Sequence, residues 1–157
     1  MNLIAVDAGL KSAGWAVFGD GMLPVDSGLV HPNRECRDED VVTRAINVGQ
    51  QIGAIARLRV CREAIIEMPV YYGQGDKNAG SIFKLCVCIG AIAVALNEAG
   101  AVVETVEVPE WKGQLPKDVV IRRIKAILPA YLVDDLKLEK DMWDAVGIGL
   151  WKRGYFK

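Results

Sequence analysis

Two short apolar runs in this chain each lead into a carboxylate, and this pattern limits how the chain can fold. Leu3–Val6 runs directly into Asp7, and Ala64–Ile66 runs into Glu67. Short apolar runs of this kind predict buried β-strands. An acid at the end of a buried strand is costly unless a partner neutralises its charge. The sequence therefore predicts a sheet in which two strand ends present carboxylates to one shared partner.

A third acidic position lies near the C-terminus. Asp141 and Asp144 are three residues apart in a predicted helix, so they lie on the same helical face. An acidic pair with this spacing is also typical of a solvated helix face. Gly147 and Gly149 follow in the same helix, although each costs about 1 kcal/mol of helix propensity. Such glycines are expected where the helix packs tightly on the sheet, which would bring its acids to the strand ends.

The apolar periodicity predicts one α/β domain over residues 1–157, with the element order β-β-β-α-β-α-β-α-α. The predicted strands are Leu3–Asp7, Gly14–Phe18, Leu23–Val30, Ala64–Glu67 and Ala101–Val108. The predicted helices run from the acidic cluster at 38–40 to about residue 59, and over Ser81–Ala99, Pro116–Leu128 and Glu139–Trp151. A chain of 157 residues that is 52% hydrophobic suits one globular domain with a real core.

The second predicted helix is apolar on every face. Leu85–Leu96 contains no charged residue, and a helix of this kind must be covered on all sides. The sheet can cover one face, and a neighbouring helix or a second subunit must cover the other. We therefore expect a homodimer that forms through this helix. The charge-free stretch is too short to span a bilayer, so no membrane partner is expected.

The four cysteines do not have the spacing of a metal site. Cys36, Cys61, Cys86 and Cys88 include no C-x-x-C pair, and His31 is the only histidine. This pattern argues against structural zinc. Cys86 and Cys88 fall in the apolar run and are predicted to be reduced core residues. With no signal peptide recognisable at the N-terminus, we expect a cytoplasmic protein.

A net charge of −1 does not by itself indicate a nucleic-acid-binding protein. Residues 109–128 are nevertheless basic, with five cations against two acids. The cations of this strip are Lys112, Lys117, Arg122, Arg123 and Lys125. The strip is compatible with a phosphate backbone as ligand, and equally with a solvated helix face.

The acids and the basic strip together indicate phosphodiester hydrolysis. Two divalent ions about 3.5–4 Å apart can activate water, hold the scissile phosphate and stabilise the leaving oxygen. Mg²⁺ and Mn²⁺ prefer oxygen ligands. Asp7, Glu67, Asp141 and Asp144 are therefore the predicted metal ligands and catalytic acids.

The motifs around these acids resemble those of RuvC-like Holliday junction resolvases from bacteria and phages. The relevant segments are Asp7–Gly9 followed by Gly14–Val17, then Ile66–Pro69 and Asp141–Ala145. The resemblance spans nearly the whole chain. It implies a ribonuclease H-like fold, with a mixed five-stranded sheet flanked by helices. It also implies that Asp7, Glu67, Asp141 and Asp144 bind the metal, and that a homodimer nicks opposed strands of a four-way DNA junction symmetrically. The expected cofactor is two Mg²⁺ ions per active site, for which Mn²⁺ can substitute.

The same resemblance implies residues that contact DNA in the loop after the second acid. Family members carry an aromatic or apolar wedge there that enters the junction centre, and Tyr71 or Tyr72 would fill this role. Stacking of a base on such a ring contributes about 1–3 kcal/mol. The alternative is that one tyrosine anchors the loop to the core. Lys77 and Lys84 are nearby candidates for phosphate contacts.

Basic residues between the last strand and the following helix approach the scissile phosphate in the family. Lys112 and Lys117 occupy that segment and are predicted to be catalytic, while Trp111 is predicted to anchor the loop by packing. Arg122 and Arg123 are further predicted DNA contacts. Two features depart from the family: Ala8 stands where proline is usual, and the lysine segment is short. The compact chain and this altered loop favour a phage source over a cellular one.

Three other functions are compatible with parts of this pattern. A ribonuclease H-like nuclease that trims pre-ribosomal RNA also begins with Asp-x-Gly, but its middle region is usually shorter. A sugar-kinase or actin-like phosphate-binding module also begins in this way, but it needs two such domains. A branched-DNA-binding scaffold without turnover would not require all four acids.

Overall fold

A computed structural model of the chain describes residues 1–37, 39–71, 73, 79–136 and 140–156. Within these residues the chain forms five strands, six α-helices and a short 3-10 helix at Arg34–Cys36. The strands are β1 (Asn2–Asp7), β2 (Ala13–Phe18), β3 (Pro24–Val30), β4 (Cys61–Met68) and β5 (Val102–Glu107). The helices are α1 (Val41–Leu58), α2 (Ala79–Glu98), α3 (Val108–Trp111), α4 (Lys117–Ile127), α5 (Ala130–Leu136) and α6 (Lys140–Lys152).

The strands form one mixed sheet in the order β3-β2-β1-β4-β5. β1 pairs antiparallel with β2, and β2 with β3, whereas β1 pairs parallel with β4, and β4 with β5. The predicted mixed five-stranded α/β sheet is confirmed. β1 and β4 lie side by side at its centre, so their carboxyl ends meet at the same edge.

Helices cover both faces of the sheet because side chains alternate along each strand. Ile4, Val6 and Ile66 pack in one core with α1 and α2. Leu3 and Ile65 pack in a second core with α4 and α6. The two cores hold the central strands in a fixed position between them.

Helix α1 begins where the acidic cluster predicted a helix start. Asp40 is its N-cap and accepts hydrogen bonds from the amides of Val42 and Thr43. Gly49 on α1 allows α2 to approach closely, since a Cβ atom there would lie 2.7 Å from the carbonyl oxygen of Ala91. Helix α1 is thus the neighbouring helix that covers one side of α2.

The remaining face of α2 is exposed, and three of its large apolar side chains are Phe83, Val87 and Val94. The prediction that both cysteines of this helix lie in the core is half wrong: Cys88 is buried, but Cys86 is exposed. The charge-free stretch Leu85–Leu96 is part of a longer helix. The complete helix has 20 residues, and by length and composition alone it could cross a membrane. One such helix is weak evidence, because a core helix can pass the same test.

The sequence patterns missed two helices, α3 and α5. Helix α3 begins directly after β5, where Val108 continues the alternating strand pattern. A reciprocal capping box between Glu107 and Glu110, with Pro109 in the first turn, starts α3 instead. Helix α5 follows Pro129 and has seven residues, which is too short for a clear apolar periodicity. The predicted first residue of the last helix, Glu139, lies outside the described residues.

Candidate active site

The first two predicted acids lie next to each other at the edge of the sheet. In the parallel pairing of β1 with β4, Val6 is opposite Ile66. The next residues are Asp7, the last residue of β1, and Glu67, the last residue but one of β4. Because both strands run in the same direction, the two carboxyl groups emerge at one edge.

Helix α6 brings the other two acids to this edge, and glycines permit its approach. Gly14 on β2 is paired with Asp7, and a Cβ atom there would lie 2.2 Å from the carbonyl oxygen of Asp141. At the other end, a Cβ atom at Gly149 would overlap the ring of Phe18. The predicted tight packing of this helix on the sheet is therefore confirmed for Gly149. Gly147 instead packs against other elements, including Trp111.

The four carboxylates interact electrostatically at this position. Burial raises the pKa of Asp7 well above its ordinary value, and the charges of Glu67, Asp144 and Asp141 raise it further. The nearby Lys112 acts in the opposite direction. Asp144 is the most enclosed of the group, with its side chain 7% exposed. These acids form one cluster whose negative charge is only partly compensated.

Both predicted catalytic lysines contact the carboxylates. Lys117 Nζ lies 2.5 Å from Asp144 Oδ2. Lys112 Nζ lies 3.5 Å from Glu67 Oε2 and 3.6 Å from Asp144 Oδ1. The two ammonium groups therefore stand directly beside the acids.

Trp111 does more than anchor its loop. Its indole Nε1 donates a hydrogen bond to Glu67 Oε2 over 2.7 Å, and its side chain is buried. Burial raises the pKa of Glu67, while the charge of Lys112 and the hydrogen bond from Trp111 lower it. The sequence signal that could have identified this contact is the position of Trp111 directly before Lys112, in the segment already linked to the site.

Sequence reasoning missed Ser12 altogether. Its hydroxyl donates a hydrogen bond to Asp141 Oδ2 over 2.6 Å, which fixes one rotamer of that acid. The two residues are 129 positions apart, so no local spacing pairs them. The only feature of the sequence that pointed to a role for Ser12 in the site is its position in the turn after Asp7.

The chemistry of this cluster fits hard divalent cations. Carboxylate oxygens are the ligands that Mg²⁺ and Mn²⁺ prefer. Oδ1 of Asp144 is buried and accepts no hydrogen bond among the described residues, so it has unused acceptor capacity. Within that same part of the chain, no three Asp, Glu, His or Cys side chains are close enough together to hold an ion as they stand. The oxygen ligands thus suit the metal in their chemistry. To bind it, the carboxylate side chains must turn towards one another.

The predicted DNA contacts are dispersed around this site. Tyr71 is exposed and its ring lies 6.4 Å from that of Phe83. Lys84 is exposed and lines a cleft with Gly9 and Ser12. Tyr72 and Lys77 lie outside the described residues.

The two predicted arginines lie on α4, beyond the lysine that pairs with Asp144. Arg122 and Arg123 are both exposed. Arg123 lines a separate cleft with Tyr155 and Phe156. The structure therefore does not bring Arg123 to the carboxylates, and its predicted DNA contact would have to be made away from the site.

Comparison with known proteins identifies the fold. Neither a protein-family model nor a curated protein sequence matches the chain. Solved structures do match over the full length. Thermus thermophilus RuvC has 21% identity and a TM-score of 0.71, covering 100% of this chain and 99% of RuvC. The same protein in complex with a Holliday junction substrate has 19% identity and a TM-score of 0.73, covering 100% and 98%.

A viral protein shows the same likeness. The Fowlpox virus resolvase in complex with Holliday junction DNA has 18% identity and a TM-score of 0.60, covering 98% of this chain and 97% of the resolvase. The chain therefore has the ribonuclease H-like fold of these structures, as its motifs predicted.

Proposed function

We propose that this protein is a metal-dependent endonuclease that resolves four-way DNA junctions by paired, symmetric nicks. The observation that carries the proposal is the convergence of Asp7, Glu67, Asp141 and Asp144 with Lys112 at one edge of the sheet. The end-to-end likeness to two proteins whose structures were solved in complex with Holliday junctions supports branched DNA as the substrate.

The four carboxylates would hold two Mg²⁺ ions, with Mn²⁺ as a substitute. When bound, such ions supply an activated water and neutralise charge on the scissile phosphate. The protein side chains prepare the site for this role. Trp111 holds the Glu67 carboxylate through its indole N–H, and Ser12 holds that of Asp141.

The lysines would act on the substrate. Lys112 and Lys117 already place two ammonium groups beside Glu67 and Asp144. When carboxylates turn to the metal, these cations become available to the phosphate. A fixed positive charge next to the scissile group stabilises the negative charge that develops in the transition state. This arrangement supports their assignment as catalytic residues.

The second strand of a junction would be cut by a second copy of the chain. Five of the exposed residues of α2 follow a 4-3-4-3 spacing: Phe83, Val87, Gly90, Val94 and Asn97. This is the spacing of a helix–helix seam. Only 22% of the most apolar window of α2 is buried within the described structure. A homodimer through this stripe accounts for the apolar surface that α1 leaves uncovered.

We also propose a cytoplasmic location in a bacterial cell or a phage-infected host, with no membrane partner. All four cysteines are free, which is typical of proteins in reducing compartments. The phage source stays a prediction from the altered loop, since the chain is about as long as the bacterial RuvC that it matches.

The deciding experiment incubates the protein with a labelled four-way junction, linear duplex, RNA/DNA hybrid and structured RNA, each with Mg²⁺, Mn²⁺ or EDTA. We expect paired symmetric nicks in the junction alone, and only with metal. Equal cutting of all substrates, or cutting of structured RNA alone, would contradict the proposal. Junction binding without cutting under every metal condition would instead indicate a non-catalytic scaffold.

Variants then test the site. Asp7→Asn and Glu67→Gln should abolish cleavage while junction binding is retained. Asp134→Asn is the matched control, because this acid is exposed on α5 and should not affect the rate. Loss of both binding and folding in Asp7→Asn would mean that this acid serves the fold.

A further inference from the structure

A basic cleft adjoins the carboxylate site on the side of α1 and α2. It has a volume of about 490 Å³ and begins at the turn that follows Asp7. Ser12 forms part of its wall and is also the residue that hydrogen-bonds Asp141. The cleft therefore shares a residue with the proposed catalytic site.

Three cations from separate elements line this cleft. Lys11 comes from the turn between β1 and β2, Arg44 from α1 and Lys84 from α2. Among the described residues, no carboxylate lines the cleft and none forms an ion pair with these three cations. The Nε of Arg44 is buried and has no hydrogen-bond acceptor in the same part of the chain. A buried donor without an acceptor is costly. The cleft is suited to an anion because three cations line it and no carboxylate does among the described residues.

The basic surface continues away from the active site. A second cleft of about 380 Å³ shares Lys11 and Arg44 with the first and adds Arg37 and His31. Its wall is fixed by hydrogen bonds: the His31 ring pairs with the carbonyl oxygen of Lys11 over 3.1 Å, and Gln51 donates to the carbonyl oxygen of His31 over 2.8 Å. The two clefts are neighbours because they share Lys11 and Arg44, and the first is linked to Asp141 through the hydrogen bond from Ser12.

We propose that Lys11, Arg44 and Lys84 bind a backbone phosphate of the DNA strand being cut, next to the scissile phosphate. The inference rests on the proposed function and specifies how its substrate is held. Phosphates repeat along a strand, so a strand placed at the carboxylates continues into a neighbouring anion site. Arg44 lines the cleft, and a planar guanidinium can donate paired hydrogen bonds to phosphate oxygens. The second cleft would receive the strand beyond that point.

The salt dependence of junction binding tests this assignment. Binding is measured in EDTA, where the junction stays intact, at several salt concentrations. For Lys11→Gln, Arg44→Gln and Lys84→Gln, the slope of log K against log salt should fall by about 0.9 for each phosphate contact that is lost. Arg57→Gln is the matched control, because Arg57 is exposed at the other end of α1, and its slope should equal that of the wild type.

Phosphate ethylation interference provides the positional readout. In the wild type, ethylation of one phosphate adjacent to the cut should block binding, and this block should disappear in Arg44→Gln. Unchanged slopes and an unchanged interference pattern in all three variants would overturn the proposal. A larger slope change with RNA duplex than with the junction would overturn the assignment to DNA. Circular dichroism establishes that each variant is folded.

The same experiments separate this inference from the function on which it rests. If the wild type cuts the junction but the variants retain its slope, the phosphate site is refuted while the nuclease stands. If the wild type cuts no junction but the variants lose slope and interference, the nuclease is refuted while the phosphate site stands.

Discussion

The backbone of Asp141 lies directly against Gly14, at a distance that no other residue in place of Gly14 would permit. A Cβ atom at Gly14 would come within 2.2 Å of the carbonyl oxygen of Asp141 and 2.6 Å of its carbonyl carbon. Both contact atoms belong to the backbone, so no side-chain rotation can relieve the overlap. Because Gly14 is also the ladder partner of Asp7, this contact sets the distance between acids from opposite ends of the sequence.

Gly14→Ala should therefore move the start of α6 away from β2. We expect a loss of about 1–3 kcal/mol in the free energy of unfolding, as for other overpacked positions, and a weaker affinity for Mn²⁺. Gly21→Ala is the matched control, since nothing lies within 4 Å of its added Cβ atom. Urea denaturation and isothermal titration with Mn²⁺ provide the two measurements. Equal behaviour of the two variants would show that the site does not depend on this contact.

Trp111→Phe tests whether the indole hydrogen bond positions Glu67. The ring packing is largely retained, but the donor to Oε2 is lost, which should cost about 1–2 kcal/mol of stability. Because the hydrogen bond lowers the pKa of Glu67, its loss should raise that pKa. Metal binding requires the ionised carboxylate, so Mn²⁺ binding should move to higher pH.

The control for this change is Trp151→Phe, at a partly buried tryptophan on α6. It should leave the pH dependence of Mn²⁺ binding unchanged. If Trp111→Phe loses stability but its pH dependence of binding is also unchanged, Trp111 is a packing residue alone.

The sequence predicted most of the fold because apolar periodicity and turn residues are local signals. All five strands and four of the six described helices follow from these patterns. Asp7 and Glu67 could be assigned to one site because both were predicted at strand ends, and their strands β1 and β4 pair in parallel. The missed helix α3 depends on a capping box between Glu107 and Glu110, whose acids look like ordinary surface residues in the sequence. Its formation carries Trp111 into contact with Glu67.

Contacts between distant segments could not be predicted in this way. Ser12 and Asp141 meet only because α6 crosses β2 at Gly14, which depends on the tertiary packing. The cleft lined by Lys11 and Arg44 could not be predicted either, since one cation lies in the turn between β1 and β2 and the other lies on α1. The exposure of Cys86 also depends on where α1 packs against α2, because the helix is apolar on all sides and gives no indication of which face is covered.

The pH dependence of stability should show the cost of the clustered acids. Burial and like charges raise the pKa of Asp7 and Glu67 in the folded protein. Without divalent metal, the folded state therefore holds more protons than the unfolded state above the ordinary carboxyl pKa values of 3.8 and 4.5. The stabilisation from these two groups is present below those values and is lost as the pH rises through the raised pKa values.

Asp7→Asn removes one of these groups and identifies its contribution. In EDTA, the free energy of unfolding of the variant should exceed that of the wild type at pH 8 by more than at pH 5. The gain corresponds to about 1.4 kcal/mol for each pH unit by which folding raises the pKa. Asp134→Asn provides the control. A gain that is equal at both pH values would contradict the assignment of the shift to Asp7.

Val94→Glu tests the proposed dimer seam. Val94 is 60% exposed in the middle of the apolar stripe on α2, so a second copy would bury the new charge without a partner. We expect a monomer by analytical ultracentrifugation and the loss of coordinated paired nicks. Val42→Glu is the matched control, because Val42 is 54% exposed on α1 and a carboxylate in the first helical turn is favourable.

Two results with the wild-type protein would contradict the proposed dimer. A monomeric mass at micromolar concentration would refute the dimer. Monomeric protein that is recovered with lipid vesicles would refute both the dimer and the absence of a membrane partner.

Lys112→Gln separates two roles that this lysine combines in the structure. Its ammonium group lies between Glu67 and Asp144, where it compensates the carboxylates in the absence of metal. Its removal leaves more uncompensated negative charge, so the affinity for Mn²⁺ should rise while the metal-free protein loses stability. If Lys112 also stabilises the phosphate in the transition state, kcat at saturating metal should fall by about 100-fold or more. Tighter Mn²⁺ binding with an unchanged kcat would limit the role of Lys112 to charge compensation. Lys125→Gln is the control, because Lys125 lies over the ring of Trp143 rather than beside the acids, and it should change neither quantity.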